Sequence, residues 1–203
     1  MAGERTNLLL HGLGTLIIAT ATITLMVAVF TDSWIQSPVE GSGFQKAGLW
    51  KICLVNYVIH RNVQTPKGLV GCYSFADPIF YDVQDWIHPI WLKAVKGMLV
   101  MSLFLNVFNL FSSAFYLVQG RAQLLIPITV LGSVSTVMIS CGTSLYRYSS
   151  NDPYWLPLPD SNQLDWSYYT SVATIFIMMI GSSMHGIQAL LLCCSRERSM
   201  RKH

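Results

Sequence analysis

The sequence predicts a mainly α membrane protein, with four transmembrane helices and a small antiparallel β-sheet outside the membrane. Of its 203 residues, 52% are hydrophobic and only 11% are charged, whereas about 25% are charged in an average soluble domain. The hydrophobic residues are concentrated in four runs that are nearly free of charge. These runs are Leu8–Phe30, Met98–Val118, Leu124–Leu145 and Ser171–Leu192.

Each run is about as long as an α-helix must be to cross a membrane. A hydrocarbon core of about 30 Å takes about 20 residues at about 1.5 Å per residue. A core helix of a soluble protein would carry a polar face, which these runs lack. The first run is longer than the apolar part of a secretory signal peptide, and no small-residue cleavage site follows it. We therefore expect Leu8–Phe30 to be retained as the first span.

The distribution of charge predicts the orientation of the single domain. The tail, residues 195–203, carries four Lys or Arg residues, and Arg5 and Arg121 lie on the same side of the membrane. Basic residues close to spans stay in the cytoplasm. We expect a plasma-membrane protein with both termini cytoplasmic and with extracellular loops at about 31–95 and 146–170.

The first loop is long enough to build a structure of its own. Residues that favour strands occur at Gly48–His60 and Leu69–Phe75, and Pro66-Lys67-Gly68 breaks the chain between them. These segments predict an antiparallel sheet on the membrane surface. The connection Gln119–Gln123 is so short that the second and third spans must form an antiparallel hairpin.

The cysteines fall into two groups with different chemistry. Cys53 and Cys72 are the only two in the extracellular loops, an oxidising location, so they predict a disulfide rather than two free thiols. That bond would contribute about 3 kcal/mol by closing a loop of about 20 residues. Cys193 and Cys194, beside the basic tail, suit S-palmitoylation or remain unmodified at the interface. Cys141 is expected to be a small packing residue within the third span.

Two histidines and two asparagines lie inside the predicted spans: His11, Asn106, Asn109 and His185. An ion relay would need carboxylates or histidines along the whole path, and no Asp or Glu lies within any span. We therefore expect these side chains to form hydrogen bonds between helices.

Four tryptophans precede spans, and their amphipathic rings suit the headgroup level. We expect them to anchor the helix ends at the interface. They are Trp86, Trp91, Trp155 and Trp166.

The motifs of catalysis and metal binding are absent from the sequence. No HExxH, GxSxG or phosphate-binding glycine loop occurs, and His60 and His88 are isolated loop residues that we expect to be solvated. We expect no enzymatic activity, cofactor, metal or nucleic-acid partner.

The first loop also carries a family signature. It contains Trp34, then Gly48-Leu49-Trp50, then Cys53 and Cys72. This pattern resembles the W…GLW…C…C signature of the claudin and peripheral myelin/epithelial membrane protein superfamily. Two further segments resemble claudins in particular: Leu92–Met98, with Lys96 at the position of an arginine, and Leu191-Leu192-Cys193-Cys194 before a basic tail.

The resemblance implies a left-handed four-helix bundle that carries a five-stranded extracellular sheet. Trp34 and the Gly48-Leu49-Trp50 segment would dock the sheet against the bundle, and Cys53–Cys72 would hold two strands together. It also implies a cell–cell junction protein that forms or regulates a paracellular barrier. Its partners would be membrane lipid and claudin-like proteins, as homo- or hetero-oligomers in cis and in trans.

Residues just beyond the second cysteine tune ion selectivity in claudins. Here they are Tyr73 and Ser74, with Asp77, Asp82 and Asp85 further on. An aromatic residue in place of a charge favours a barrier over a selective pore. The acidic residues are alternatively only solvated.

The sequence departs from the claudin pattern in two places. Its two cysteines are 19 positions apart, against about ten in vertebrate claudins, because Val58–Gly71 lengthens the turn between their strands. The C-terminus also lacks the Tyr-Val type ligand for PDZ domains. We expect a divergent claudin-like protein.

An auxiliary subunit of an ion channel is the alternative. Leu164–Tyr169 resembles the W-S-(F/Y)-Y motif at the start of the last span in gamma-type channel subunits. These subunits and epithelial membrane proteins typically carry an N-x-(S/T) glycosylation sequon in the first loop, and this chain has none. The sequence therefore favours a junction protein.

Overall fold

The structure, a computed structural model, describes residues 2–39, 41, 43–57, 68–156 and 161–200. Its long helices are α1 (Ala2–Phe30), α3 (Ile90–Gln119), α4 (Leu125–Ser149) and α5 (Trp166–Met200), and the short helix α2 covers Gln84–Ile87. Two 3₁₀ segments occupy Pro78–Val83 and Ala122–Leu124. The strands are β1 (Ile35–Gln36), β2 (Phe44–Ala47), β3 (Lys51–Tyr57), β4 (Leu69–Ser74) and β5 (Gln163–Leu164).

Four helices among the described residues are long and apolar enough to cross a membrane, as predicted. Each covers one of the predicted apolar runs, except that Leu124 belongs to the 3₁₀ segment before α4, and three extend beyond their runs towards the sheet. α3, for example, begins at Ile90 rather than Met98, and α5 begins at Trp166 rather than Ser171. An apolar run marks only the part of a helix that lies in lipid. The helix itself continues beyond that part into the interface, because its backbone hydrogen bonds continue there.

The helices pack in a closed ring. α1 contacts α3 and α5, and α4 contacts the same two helices. The predicted hairpin between α3 and α4 is present, and Gly120 ends α3 in the left-handed conformation (φ 66°) while its N–H donates to Tyr116 O. Large apolar side chains face outward, as a lipid solvent requires; Phe104, Phe108 and Phe111 of α3 are all more than half exposed.

All five strands form one antiparallel sheet in the order β4-β3-β2-β1-β5. Four strands come from the first loop, and the strand-forming segments predicted at Gly48–His60 and Leu69–Phe75 contain two of them, β3 and β4. The fifth, β5, comes from the segment between α4 and α5 and pairs with β1, which the sequence did not predict because two residues carry no alternating pattern. The end of the bundle that carries this sheet is called the sheet side, and the opposite end, with both termini, is called the tail side.

Candidate functional site

The two signature tryptophans bind the exposed end of α1. The last carbonyl groups of a helix have no partner within the helix. The indole N–H of Trp34 donates to Ala28 O at 2.7 Å, and that of Trp50 donates to Val29 O at 2.8 Å. Trp34 directly precedes β1, and Trp50 directly precedes β3. These contacts therefore join the sheet to the first span at two places. The signature therefore acts as a helix cap made of side chains.

Gly48 allows the chain to pass close to the end of α1. A Cβ atom at this position would lie 2.6 Å from both Asp32 Cα and Thr31 O, which are backbone atoms. The Gly48 N–H donates to Lys51 O, which forms the turn into β3. Leu49, the next residue, is fully buried. Glycine is required here by the close approach of two backbones.

We expect Gly48→Ala to destabilise the fold by about 1–3 kcal/mol, because an added methyl must push backbone apart. Gly97→Ala is the matched control, since nothing lies within 4 Å of its Cβ position and alanine favours a helix. Thermal unfolding in detergent measures both variants. A Gly48→Ala protein as stable as the Gly97→Ala protein would contradict the close approach.

The predicted disulfide is present and joins paired strands. Cys53 of β3 lies directly opposite Cys72 of β4, and their sulfur atoms are bonded. Cys53 is 1% exposed, whereas Cys72 is exposed. The bond links the edge strand to the part of the sheet that the tryptophans hold. Most of the long turn between the two cysteines, residues 58–67 with His60, lies outside the described residues.

Comparison with protein families agrees with this architecture. The family model described as PMP-22/EMP/MP20/Claudin tight junction matches residues 19–185, which include the whole sheet together with α3 and α4. The chain belongs to this family. A search of curated proteins found none that matches.

Lys96, at the position of the claudin arginine, is 8% exposed on α3 beneath the sheet. Its ammonium group donates a hydrogen bond to His88 Nε2 at 2.7 Å. It also lies 4.8 Å from the ring centroid of Phe75 and 5.2 Å from that of Trp50, a cation–π arrangement. Lys96 thus connects the second span to both the signature loop and the chain after β4.

His88 is therefore not the solvated loop residue that the sequence predicted. Its ring stacks on Phe75 with centroids 5.4 Å apart, and it accepts the hydrogen bond from Lys96. Burial, followed by the positive charges of Lys96 and Lys93, lowers the pKa of His88 to about 4. A histidine that accepts a bond from an ammonium group must be neutral.

This low pKa predicts a loss of stability in acid. Below its ordinary pKa of about 6.5, the unfolded His88 binds a proton that the folded one does not bind until about pH 4. Stability should fall as pH decreases through this window. Unfolding midpoints of the wild type and His88→Gln, measured between pH 7.5 and 4.5, test the effect. The variant should lose less stability on acidification; equal losses would contradict it.

Three predicted interfacial anchors instead pack within the protein. Trp155 is 2% exposed, and its ring lies 4.6 Å from that of Trp91. Both contact Tyr146, a fully buried residue of α4 that also meets Trp34 at 4.8 Å. Trp86 stacks on Tyr57 of β3. The prediction of an interfacial anchor was wrong for Trp155, because contacts with distant segments cover its ring. Trp86 and Trp91 are partly buried, and Trp166 is half exposed.

The proposed selectivity residues both form local contacts. The Tyr73 hydroxyl donates to Val70 O at 3.1 Å, and its ring packs edge-on against Phe80. The Asp77 carboxylate accepts the Ile79 N–H at 3.1 Å and so closes the turn that begins the 3₁₀ segment. Their role in selectivity stays a prediction.

We expected the polar residues inside the bundle to form hydrogen bonds between helices, and two of the four do. Asn109 Nδ2 donates to Ile128 O of α4, and His11 lies within hydrogen-bond distance of Gln188 on α5 and of Ser113 O on α3. For Asn106 and His185 the prediction was wrong, since their buried side chains have no such partner among the described residues. The sequence analysis missed Gln188. It could have been found, because it lies one turn after His185 and so shares a face of α5 with it.

The remaining cysteines are all exposed. Cys193 and Cys194 lie at the tail-side end of α5, and their S-palmitoylation stays a prediction. Cys141 does not pack inside the bundle as expected; it lies on the lipid-facing surface between α4 and α5. Among the described residues no group of three His, Cys, Asp or Glu side chains is close enough to hold a metal ion.

Proposed function

We propose that this claudin-family chain is a cell–cell junction protein that forms or regulates a paracellular barrier. The observation that carries the proposal is a set of large apolar side chains exposed on the sheet side. Val70 is 66% exposed, and Tyr81 and Tyr154 are each 81% exposed. In water, such exposed apolar groups mark surfaces that bind other proteins. Apolar side chains on the lipid-facing helices need no protein partner, because lipid covers them. Apolar side chains exposed on the sheet side do need one.

The exposed residues belong to different segments of the chain. Ile79 and Tyr81 belong to the 3₁₀ segment after β4, and Tyr154 belongs to the turn after α4. A contact between unlike patches on neighbouring copies is head-to-tail, and such contacts continue as an open row. A row of copies in one membrane, facing a row in the next, is the arrangement that a barrier requires. Related family members are candidates for the same contacts.

A barrier fits the residues after Cys72 better than an ion-selective pore. A selective passage places a charge in a narrow, partly desolvated position. Tyr73 carries no charge at neutral pH, and its hydroxyl is already bound to Val70 O. One oxygen of Asp77 is likewise engaged by the backbone of its own turn.

We propose that the sheet side is extracellular and that both termini are cytoplasmic. The disulfide favours an oxidising compartment, and the basic tail favours the cytoplasm. An epitope tag after His203 should bind antibody only in permeabilised cells. Labelling of the tag on intact cells would contradict this orientation.

The motif that suggested a channel subunit is explained by contacts within the chain. Ser167 Oγ lies 2.7 Å from Thr31 Oγ1, which ties the start of α5 to the end of α1. The Asp165 carboxylate accepts the N–H of Trp166. The Tyr168 ring packs edge-on against Trp34. Packing alone therefore accounts for Leu164–Tyr169, and a channel partner remains the alternative that the following experiment tests.

Expression in epithelial cells that lack junction strands tests the function. We expect enrichment at cell contacts and a higher transepithelial resistance. Tyr81→Ser and Tyr154→Ser should each reduce both, because each removes one side of the contact between copies. Phe111→Ala, which alters an exposed lipid-facing side chain, is the matched control and should change neither. A uniform surface distribution with co-purification of an ion channel would refute the proposal.

A further inference from the structure

Two cavities lie on the same outer face of the α4–α5 pair. The upper one, about 570 Å³, is at the sheet side and is lined by Arg147, Tyr168 and Val172 among others. The lower one, about 480 Å³, is inside the membrane and is lined by residues that include Ser140 and Met179. Together they form what we call the α4–α5 groove.

Helical spacing places both cavities on one line. On α4 the lining residues Thr129, Ser133, Ser140 and Arg147 follow one another at intervals of four, seven and seven. On α5 the residues Tyr168, Val172, Met179 and Gly186 repeat the same intervals. Residues at such intervals share one face of a helix. A Cβ on Gly186 would lie 3.4 Å from Thr129, so the two rows face each other.

The upper end of the groove carries a cation, Arg147, that no described carboxylate neutralises. Arg147 is exposed in the last turn of α4, and its Nη1 donates to the neutral Asn151 side chain at 3.1 Å. No carboxylate of the described residues forms an ion pair with it. The site lies at headgroup level, where the half-exposed ring of Trp166 begins the fourth span. At this depth the available anion is a lipid phosphate, which a guanidinium group binds through paired hydrogen bonds.

Two tyrosine rings, those of Tyr168 and Tyr169, lie beside this cation at an angle to each other, and we call them the tyrosine corner. The rings of Tyr168 and Tyr169 are 5.5 Å apart and nearly perpendicular, at 78°, and both line the upper cavity. Tyr169 is 60% exposed, so one ring face is open. Aromatic faces set at an angle are the surface that binds quaternary ammonium groups. An arginine and a tyrosine corner in one cavity match the two charges of a phosphocholine headgroup.

The lower cavity suits an acyl chain. Its α4 hydroxyl groups bond within their own helix: Ser133 Oγ donates to Thr129 O, and Ser140 Oγ donates to Thr136 O. Ser182 Oγ of α5 is buried and has no hydrogen-bond partner among the described residues. The surface left for a ligand is therefore mostly apolar. One leaflet is about 15 Å deep, half of the hydrocarbon core, which is about ten residues of helix. A chain that enters at Val172 would thus pass Met179 and end near Ser182.

We propose that the α4–α5 groove binds a choline phospholipid of the leaflet on the sheet side. The phosphate contacts Arg147, the trimethylammonium group contacts Tyr168 and Tyr169, and one acyl chain lies along Met179. The proposal does not depend on the junction function. It assigns a lipid site to the outer face of α4 and α5, next to β5.

Native mass spectrometry of the full chain in a non-phospholipid detergent tests the proposal. The probe is an equal mixture of phosphatidylcholine, phosphatidylethanolamine and phosphatidylglycerol with identical acyl chains. We expect phosphatidylcholine to bind best. Arg147→Gln should weaken its binding about tenfold, the effect of losing one charged hydrogen bond. Tyr169→Leu should abolish the preference for choline over ethanolamine, and Ser183→Phe should weaken binding by filling the lower cavity.

Arg121→Gln is the matched control, because it removes an exposed arginine at the tail side, far from the groove, and should leave binding unchanged. Unfolding midpoints confirm that each variant is folded. Equal binding of the three lipids would overturn the choline assignment. Unchanged phosphatidylcholine binding by Arg147→Gln, or an equal loss in Arg121→Gln, would overturn the site itself.

Discussion

Trp34→Ala should destabilise the protein by about 3–5 kcal/mol, the cost of deleting a large buried aromatic side chain. Trp34 has no exposed surface, and its ring contacts Tyr146 of α4 and Tyr168 of α5. Its indole also caps Ala28 O at the end of α1. One side chain therefore joins three of the four spans to the sheet, and its loss should release the sheet from the bundle.

A second substitution separates packing from hydrogen bonding at this position. Trp34→Phe keeps most of the apolar contacts but removes the indole N–H. Ala28 O then keeps the longer hydrogen bond from Thr31 Oγ1, at 3.3 Å, and loses the shorter one at a cost of about 1 kcal/mol. Trp166→Ala is the control, since Trp166 is 47% exposed. Unfolding in detergent should rank the losses with Trp34→Ala largest and Trp166→Ala smallest. Equal losses in the two alanine variants would refute the docking role of Trp34.

Removing the disulfide should cost about 3 kcal/mol, the loop-closure value for a ring of about 20 residues. Cys53 and Cys72 are opposed on β3 and β4, and β4 is an edge strand whose only strand neighbour is β3. Without the bond, the free energy of unfolding falls because the unfolded chain gains freedom. The edge strand also loses its covalent attachment to the sheet.

Comparison of the two single variants with the double variant tests whether the loss comes from the disulfide. Cys53→Ser, Cys72→Ser and the double variant all break the same bond, so the three losses should be nearly equal rather than additive. Cys141→Ser, which alters an exposed free thiol, should leave the unfolding midpoint unchanged. A double variant that loses twice as much as each single variant would show that the cysteines contribute separately.

Much of the fold could be predicted from local features of the sequence. Span number follows from the length of apolar runs, because lipid accepts only segments that satisfy their own backbone. The hairpin of α3 and α4 follows from a short connection. The pair Cys53 and Cys72 could be recognised because only two cysteines lie in the predicted extracellular loops.

The candidate site was only partly predictable. The signature residues Trp34 and Gly48-Leu49-Trp50 could be named from the sequence, but not the carbonyl groups that they cap. His88 was misjudged, since its neighbour Lys96 lies one helix later and Phe75 lies on the other side of the 3₁₀ segment. Their meeting depends on how the sheet rests on α3. No local pattern contains that information.

The sequence alone determined that this is a membrane protein with four spans. It also determined which two strands a disulfide joins and which motif places the chain in a family. These properties depend on composition, segment length and short spacings, which are local. Only the tertiary structure decided that Trp155 is buried against Trp91 and Tyr146, that β5 completes the sheet and that Arg147 lines a groove with Tyr168. Each of these is a contact between segments distant in the chain, and it exists only because the helices pack in one closed ring.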